Sequence, residues 1–278
     1  MTITDGNTTV SGNSTTSGNL TITGGNTTVA GDSTATNLTI AGGNTSVAGN
    51  TTVSNLTVSG GSVTSQGTLS AGNVTQSNGT LTASSNMTVS GNLTQTGGNT
   101  SVAGNTTVTG DTTVAGNTTV GNLSTANMTI TDGNTTVAGD STATNLTIAG
   151  GNTSVAGNTT VSNLTVSGGS VTSQGTLSAG NVTQSNGTLT ASSNMTVSGN
   201  LTQTGGNTSV AGNTTVIGDT SISGNTTVGN LSTANMTITD GNTTVSGNST
   251  TSGNLTITGG NTTVAGDSTA TNLTIAGG

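Results

Sequence analysis

"GNTTVSGNSTTSGNLTIT", residues 6–23, decides how the whole chain is read. It divides into three hexads, each a Gly-Asn pair followed by a short run of Ser, Thr and aliphatic residues. Gly and Asn tolerate the left-handed backbone that a tight corner demands, whereas Thr, Val and Ile favour extended strands. Side chains alternate faces along a strand. In "NTTV" this puts Thr8 and Val10 on one side and Thr9 on the other, and in "NLTI" it puts Leu20 and Ile22 opposite Thr21. With the aliphatic side inward, the stretch predicts three short strands joined by three corners, a triangular coil built from three hexads. Gly, Asn and β-branched residues all oppose a helix.

The pattern persists along the chain. Tetrads like Asn-Leu-Thr-Ile begin at Asn19, Asn37, Asn55 and Asn73, a constant step of 18, and continue at Asn92, Asp111, Asn127, Asn145, Asn163 and Asn181. A second series runs through Asn7, Asn26, Asn44, Ser62, Thr80 and Asn99, and a third through Asn13, Asp32, Asn50, Thr68, Asn86 and Asn105. The three stay in step at about six-residue offsets. A disordered low-complexity chain has no reason to keep such phase. The expected core ladder is Val10, Ile22, Val29, Ile40, Val47 and Val58, with Thr9, Thr21, Thr28 and Thr39 outward.

Larger blocks repeat in whole periods. "GDSTATNLTIAGGNTSVAGNTTVSNLTVSGG" begins at Gly31 and again at Gly139, a shift of 108, or six times 18. "MTITDGN" occurs at Met1, Met128 and Met236, where Met occupies the column of Leu20. Insertion of part of a layer would throw every later side chain onto the wrong face. The expectation is therefore an all-β, single-chain triangular β-solenoid of about 18 residues per coil. It would form one continuous body over residues 1–278, read as a window of a longer repeat array.

Hexads such as "VAGNTT" resemble the hexapeptide repeat of left-handed β-helices, whose layer is three hexads, and the resemblance covers nearly the whole chain in degenerate form. It implies a left-handed coil, with a right-handed solenoid as competitor. The "GNLTVSG" and "GNTTVAG" style is also similar to repetitive shafts of phage tail fibres and of surface adhesins. Enzymes of the hexapeptide-repeat family are acyltransferases that depend on His, and this chain has none.

Composition narrows the chemistry further. The 278 residues include 46 Gly but no Lys, Arg, His, Cys, Pro or aromatic residue, and the net charge is -8. Without cations nothing neutralises phosphates, which argues against nucleic-acid partners and anionic membrane surfaces. No apolar run approaches the roughly 20 residues of a membrane span. No His, Cys, Lys, Arg, Glu or Tyr is present to serve as general acid, base or electrophile, and the many Ser and Thr have no activating partner, so no catalytic residue and no cofactor is assigned. Asp5, Asp32, Asp111, Asp132, Asp140, Asp219, Asp240 and Asp267 sit singly, without the clustering that calcium loops show. They read as substitutes for Asn at corners, and no metal site is assigned.

Two surface features remain. Nearly every Asn heads an Asn-x-Thr or Asn-x-Ser triplet, the acceptor pattern for N-linked glycans; among them are Asn7, Asn13, Asn19, Asn26, Asn37, Asn44, Asn50, Asn55, Asn73, Asn86, Asn92 and Asn105. The competing explanation is that Asn-Thr-Thr is an economical code for a corner and a strand. Outward Thr residues also form files one strand separation apart, so a Thr array that orders ice is one reading and an ordinary solvated strand face is the other.

The expected function is a non-enzymatic structural shaft of an extracellular filament or cell-surface adhesin, self-associating into a fibre and carrying covalent glycans. The alternatives are a viral tail-fibre shaft and an ice-binding solenoid.

Overall fold

In a computed structural model, which describes residues 1–277, every regular element is a β-strand, and the strands within each unit pair in parallel. The chain divides into two compact units, Met1–Ala138 and Gly139–Gly278. Each unit is a parallel β-solenoid. Residues stacked in adjacent coils, such as Asn19 and Asn37, or Asn145 and Asn163, are typically 18 residues apart.

One coil of the first unit shows why. Asn26–Val29 forms a short strand and Ser33–Ile40 a long one that bends midway. Along this coil the buried residues are Thr27, Val29, Ser33, Ala35, Leu38 and Ile40, two on each of three straight arms. The alternation of Thr27 and Val29 inward with Thr28 outward is the pleat of an ordinary strand. Three residues separate the inward pair of the first arm from that of the second (Ala30-Gly31-Asp32). Two separate the second from the third (Thr36-Asn37), and four close the coil (Ala41-Gly42-Gly43-Asn44). The corners are thus unequal, where the hexad reading made them alike.

That inequality explains the irregular spacings in the sequence. Where the two-residue corner gains a third residue, as at Ser90-Gly91-Asn92, the long strand is interrupted into Met87–Val89 and Leu93–Gln95. The same addition at Ser17-Gly18-Asn19 appears as a register shift between Thr16 and Asn19. Extra residues enter at corners and not within arms, because one residue added to an arm would turn its later side chains inside out.

Each inward position forms a column down the unit. Ile22, Ile40 and Val58 stack in register, and the column continues through Gln76 and Gln95 to Val114 and Ile130. Ile22, Val29, Ile40, Val47 and Val58 are almost fully buried, whereas Val10, in the first coil, is only half-buried. Thr9 and Thr28 are exposed, and Thr21 and Thr39 are partly so. Met1 continues the Leu20 column but is 61 % exposed, while Met128 and Met236 are buried. The second unit repeats the arrangement: Ile148, Val166, Gln184, Gln203, Ile222 and Ile238 form the matching column.

Glycine is demanded most strictly at the four-residue corner. Gly43 has φ +69 and lies directly against the coil before it, where a Cβ would overlap the Gly25 carbonyl oxygen. Only Gly takes that conformation without steric cost.

Candidate functional site

The corners concentrate the polar chemistry of both units, and three ladders run along them. At the two-residue corner, Asn37 Nδ2 donates to Asn19 Oδ1 (2.7 Å), Asn55 Nδ2 to Asn37 Oδ1 (2.8 Å) and Asn73 Nδ2 to Asn55 Oδ1 (3.0 Å). Where that corner lengthens, the side-chain donor gives way to the backbone. Asn92 N donates to Asn73 Oδ1 (3.0 Å) and Asp111 N to Asn92 Oδ1 (2.9 Å). Asn127 Nδ2 then donates to Asp111 Oδ1 (2.7 Å).

At the three-residue corner the donor is mainly the backbone amide of the next coil. Asp32 N donates to Asn13 Oδ1 (2.9 Å), Asn50 N to Asp32 Oδ1 (2.7 Å), Thr68 N to Asn50 Oδ1 (2.8 Å) and Asn105 N to Asn86 Oδ1 (2.8 Å). At the four-residue corner Asn26 N donates to Asn7 Oδ1 (3.2 Å) and Asn44 N to Asn26 Oδ1 (3.2 Å). The asparagines read as glycan acceptors are therefore structural pieces of three ladders, of the kind that stack in cross-β assemblies.

The Asp residues in these columns act as Asn does. Asp32 and Asp111 accept through Oδ1 like their neighbours, and Asp140 accepts from Asn158 N (2.7 Å). Asp132 and Asp240, at the tip of the four-residue corner, instead accept from the backbone N–H of the following Gly (2.8 Å each). Among the described residues no three acidic, His or Cys side chains gather into a metal-sized group. No helix among them is long and apolar enough to cross a membrane.

The triplet pattern has a local cause. In Asn37-Leu38-Thr39 the Asn sits at the corner, Leu38 points inward and Thr39 outward; Asn50-Thr51-Thr52 follows the same order. An arm that begins with a corner Asn and presents Thr to water is an Asn-x-Thr triplet by construction.

Sequence reasoning missed the polar interior. Gln76 is fully buried; its Nε2 donates to the carbonyls of Gly79 (3.1 Å) and Asn99 (2.8 Å), and its Oε1 accepts from Thr100 Oγ1 (2.6 Å). Gln95 repeats this with Gly98 (3.0 Å), Asn117 (2.9 Å) and Thr118 (2.6 Å). Gln184 and Gln203 hold the same posts in the second unit. Each Gln therefore ties its own four-residue corner to the next coil. The other two corner types have buried plugs as well. Ser65 Oγ donates to Gly49 O (3.2 Å), and Thr125 Oγ1 to Gly110 O and Asn127 O (3.3 Å each). Most buried polar side chains in proteins are hydrogen-bonded, and these bond to corner carbonyls that an aliphatic neighbour cannot serve. By contrast the inward hydroxyls of Thr27, Thr45 and Thr135 make no hydrogen bond among the described residues.

The outer faces carry one file of hydroxyls per arm. Thr39, Thr57, Thr75 and Thr94 lie in register on the third arm. At the two-residue corner, Thr36 Oγ1 spends its proton on the Ser17 carbonyl (3.1 Å). No protein-family model, curated protein or solved structure matches the chain.

Proposed function

We propose that this chain is a non-catalytic structural spacer, the shaft of an extracellular filament or surface adhesin that assembles by self-association. The observation that carries the reading is the interchangeability of coils. Gln76 and Gln184, Asn55 and Asn163, and Ser65 and Ser173 have matching partners at equivalent places in the first and second units. Most corner side chains bond along the stack, to the coil before or after. Such a surface is suited to holding a length rather than recognising a ligand, since binding hot spots draw on Trp, Tyr and Arg and the chain has none.

The test is deletion by whole coils. Ser33, Thr51, Leu69 and Met87 share one column. Removing residues 33–86 joins Asp32 to Met87 in phase and takes out three coils. The first unit should keep its strand spectrum and shorten by about 14 Å, at roughly 4.8 Å per coil. A fibre containing the shortened chain should still assemble. Loss of assembly with the fold intact would show that particular coils carry a binding site and would overturn the spacer reading.

A further inference from the structure

We propose that Asn78 and Asn186 are the acceptor sites for N-linked sugar on the folded protein. Both head the triplet Asn-Gly-Thr, the first at Asn78-Gly79-Thr80 and the second at Asn186-Gly187-Thr188. Neither belongs to the three ladders. Each is exposed at the second residue of a four-residue corner, just before a Gly of positive φ (+80 and +78), and its side chain makes no hydrogen bond among the described residues. The axial neighbours are glycines. Thr80 pairs with Ser62 on one side and Asn99 on the other, which places Gly60 and Gly97 against Asn78. Thr188 pairs with Ser170 and Asn207, which places Gly168 and Gly205 against Asn186.

The ladder asparagines differ in their axial neighbours, and several at the two-residue corner differ in their side-chain bonding as well. The Nδ2 that would carry sugar is already a donor in Asn37, Asn55, Asn73, Asn163 and Asn181. A hexose with its hydroxyls is also broader than the roughly 4.8 Å between paired strands, so an Asn with another Asn directly above it lacks room. Asn44 illustrates the crowding, because the axial neighbour on one side is Asn26, whose Oδ1 receives the Asn44 N–H. At Asn78 and Asn186 the flanking glycines leave space on both sides.

The donor class is a nucleotide-activated hexose presented by an N-glycosyltransferase. Asn78 Nδ2 attacks the anomeric carbon, forming the C–N bond as the bond from that carbon to the diphosphate oxygen breaks. The nucleoside diphosphate departs with the electron pair, and the amide proton passes to a base of the transferase. This inference does not rest on the spacer reading.

The experiment treats the folded full-length chain with a soluble N-glycosyltransferase and its uridine-diphosphate hexose, alongside the same chain unfolded in urea and refolded after transfer. Intact mass counts the hexoses. Because the chain has no Lys or Arg, elastase peptides locate them. The folded chain should stop at two hexoses, on Asn78 and Asn186, and N78Q/N186Q should take none, while the unfolded chain should also be modified at ladder positions. Transfer to Asn37, Asn55 or Asn163 on the folded chain at rates like those at Asn78 would overturn the proposal. So would a folded chain left unmodified at Asn78 and Asn186 when the unfolded chain is modified there.

Discussion

Gln95 offers the sharpest test of how the interior holds together. Replacing it with Ala removes a fully buried amide that makes three hydrogen bonds. The Gly98 carbonyl keeps the Asn117 N–H (3.1 Å), but Thr118 Oγ1 and the Asn117 carbonyl lose the amide. A buried polar group left without a partner costs about 1–3 kcal/mol, and truncating a large buried side chain to Ala costs about 2–5 kcal/mol through lost contacts and residual space. These effects overlap at one site, so Q95A should destabilise its coil by about 3–5 kcal/mol. Q95I separates them. Ile occupies the same column as Ile22 and Ile40, and it leaves the Thr118 hydroxyl in the condition Thr45 already tolerates in the coil after Ile22. The expected loss there is about 1–2 kcal/mol. Because a solenoid is stabilised largely by nearest-neighbour contacts, the readout is amide hydrogen exchange across residues 93–120, supported by urea unfolding followed by circular dichroism. Equal damage from Q95A and Q95I would refute the cavity argument. A Q95A chain as protected as the parent would refute the view that Gln ties the corners together.

Three further outcomes follow from the corners and the stacking. G43A should cost more than about 2 kcal/mol, from the left-handed backbone and the overlap with the Gly25 carbonyl; G12A, with nothing near its Cβ, should change urea stability by less than about 0.5 kcal/mol. N37D loses the donor to Asn19 and sets two acceptors face to face, which should cost about 1 kcal/mol in thermal unfolding, whereas D111N keeps the oxygen that receives Asn127 Nδ2 and should be close to neutral. V47D buries an unpaired carboxylate at a position with no solvent exposure and should abolish hydrogen-exchange protection in its own and adjoining coils.

The parts of this fold that could be read from residues are those in which chemistry and position coincide. Asn19, Asn37, Asn55 and Asn73 stand out by period, and they meet because the period is the coil. Val29 and Ile40 declare their face by being apolar. Thr27 and Thr28 do not: they are the same residue, one buried and one exposed, and only strand register distinguishes them. Gln76 was missed for the opposite reason, since a polar residue in an aliphatic column reads as a lapse until the carbonyls of Gly79 and Asn99 are seen beside it. Its recurrence at Gln95, Gln184 and Gln203 after the same Val/Leu-Thr pair was the available signal. The unequal corners were hidden because a Gly-Asn pair looks alike whether it closes two, three or four residues. Asn78 was hidden by its triplet, which resembles the ladder triplets although its side chain stands outside every ladder.

The acceptor role shared by Asn and Asp has a consequence for how these molecules behave in company. Five of the eight carboxylates occupy columns otherwise held by Asn, the places of Asp32, Asp111, Asp140, Asp219 and Asp267. At a rung whose donor is the next coil's amide, the bond needs an oxygen and is indifferent to the atom beside it. The surface potential can therefore be changed rung by rung while the backbone keeps its course. Repulsion between like-charged surfaces governs whether such molecules remain dispersed or lie side by side, and salt weakens it. Colloidal behaviour is thus a dial that a lineage can turn by exchanging an amide for an acid, one corner at a time, without renegotiating the fold.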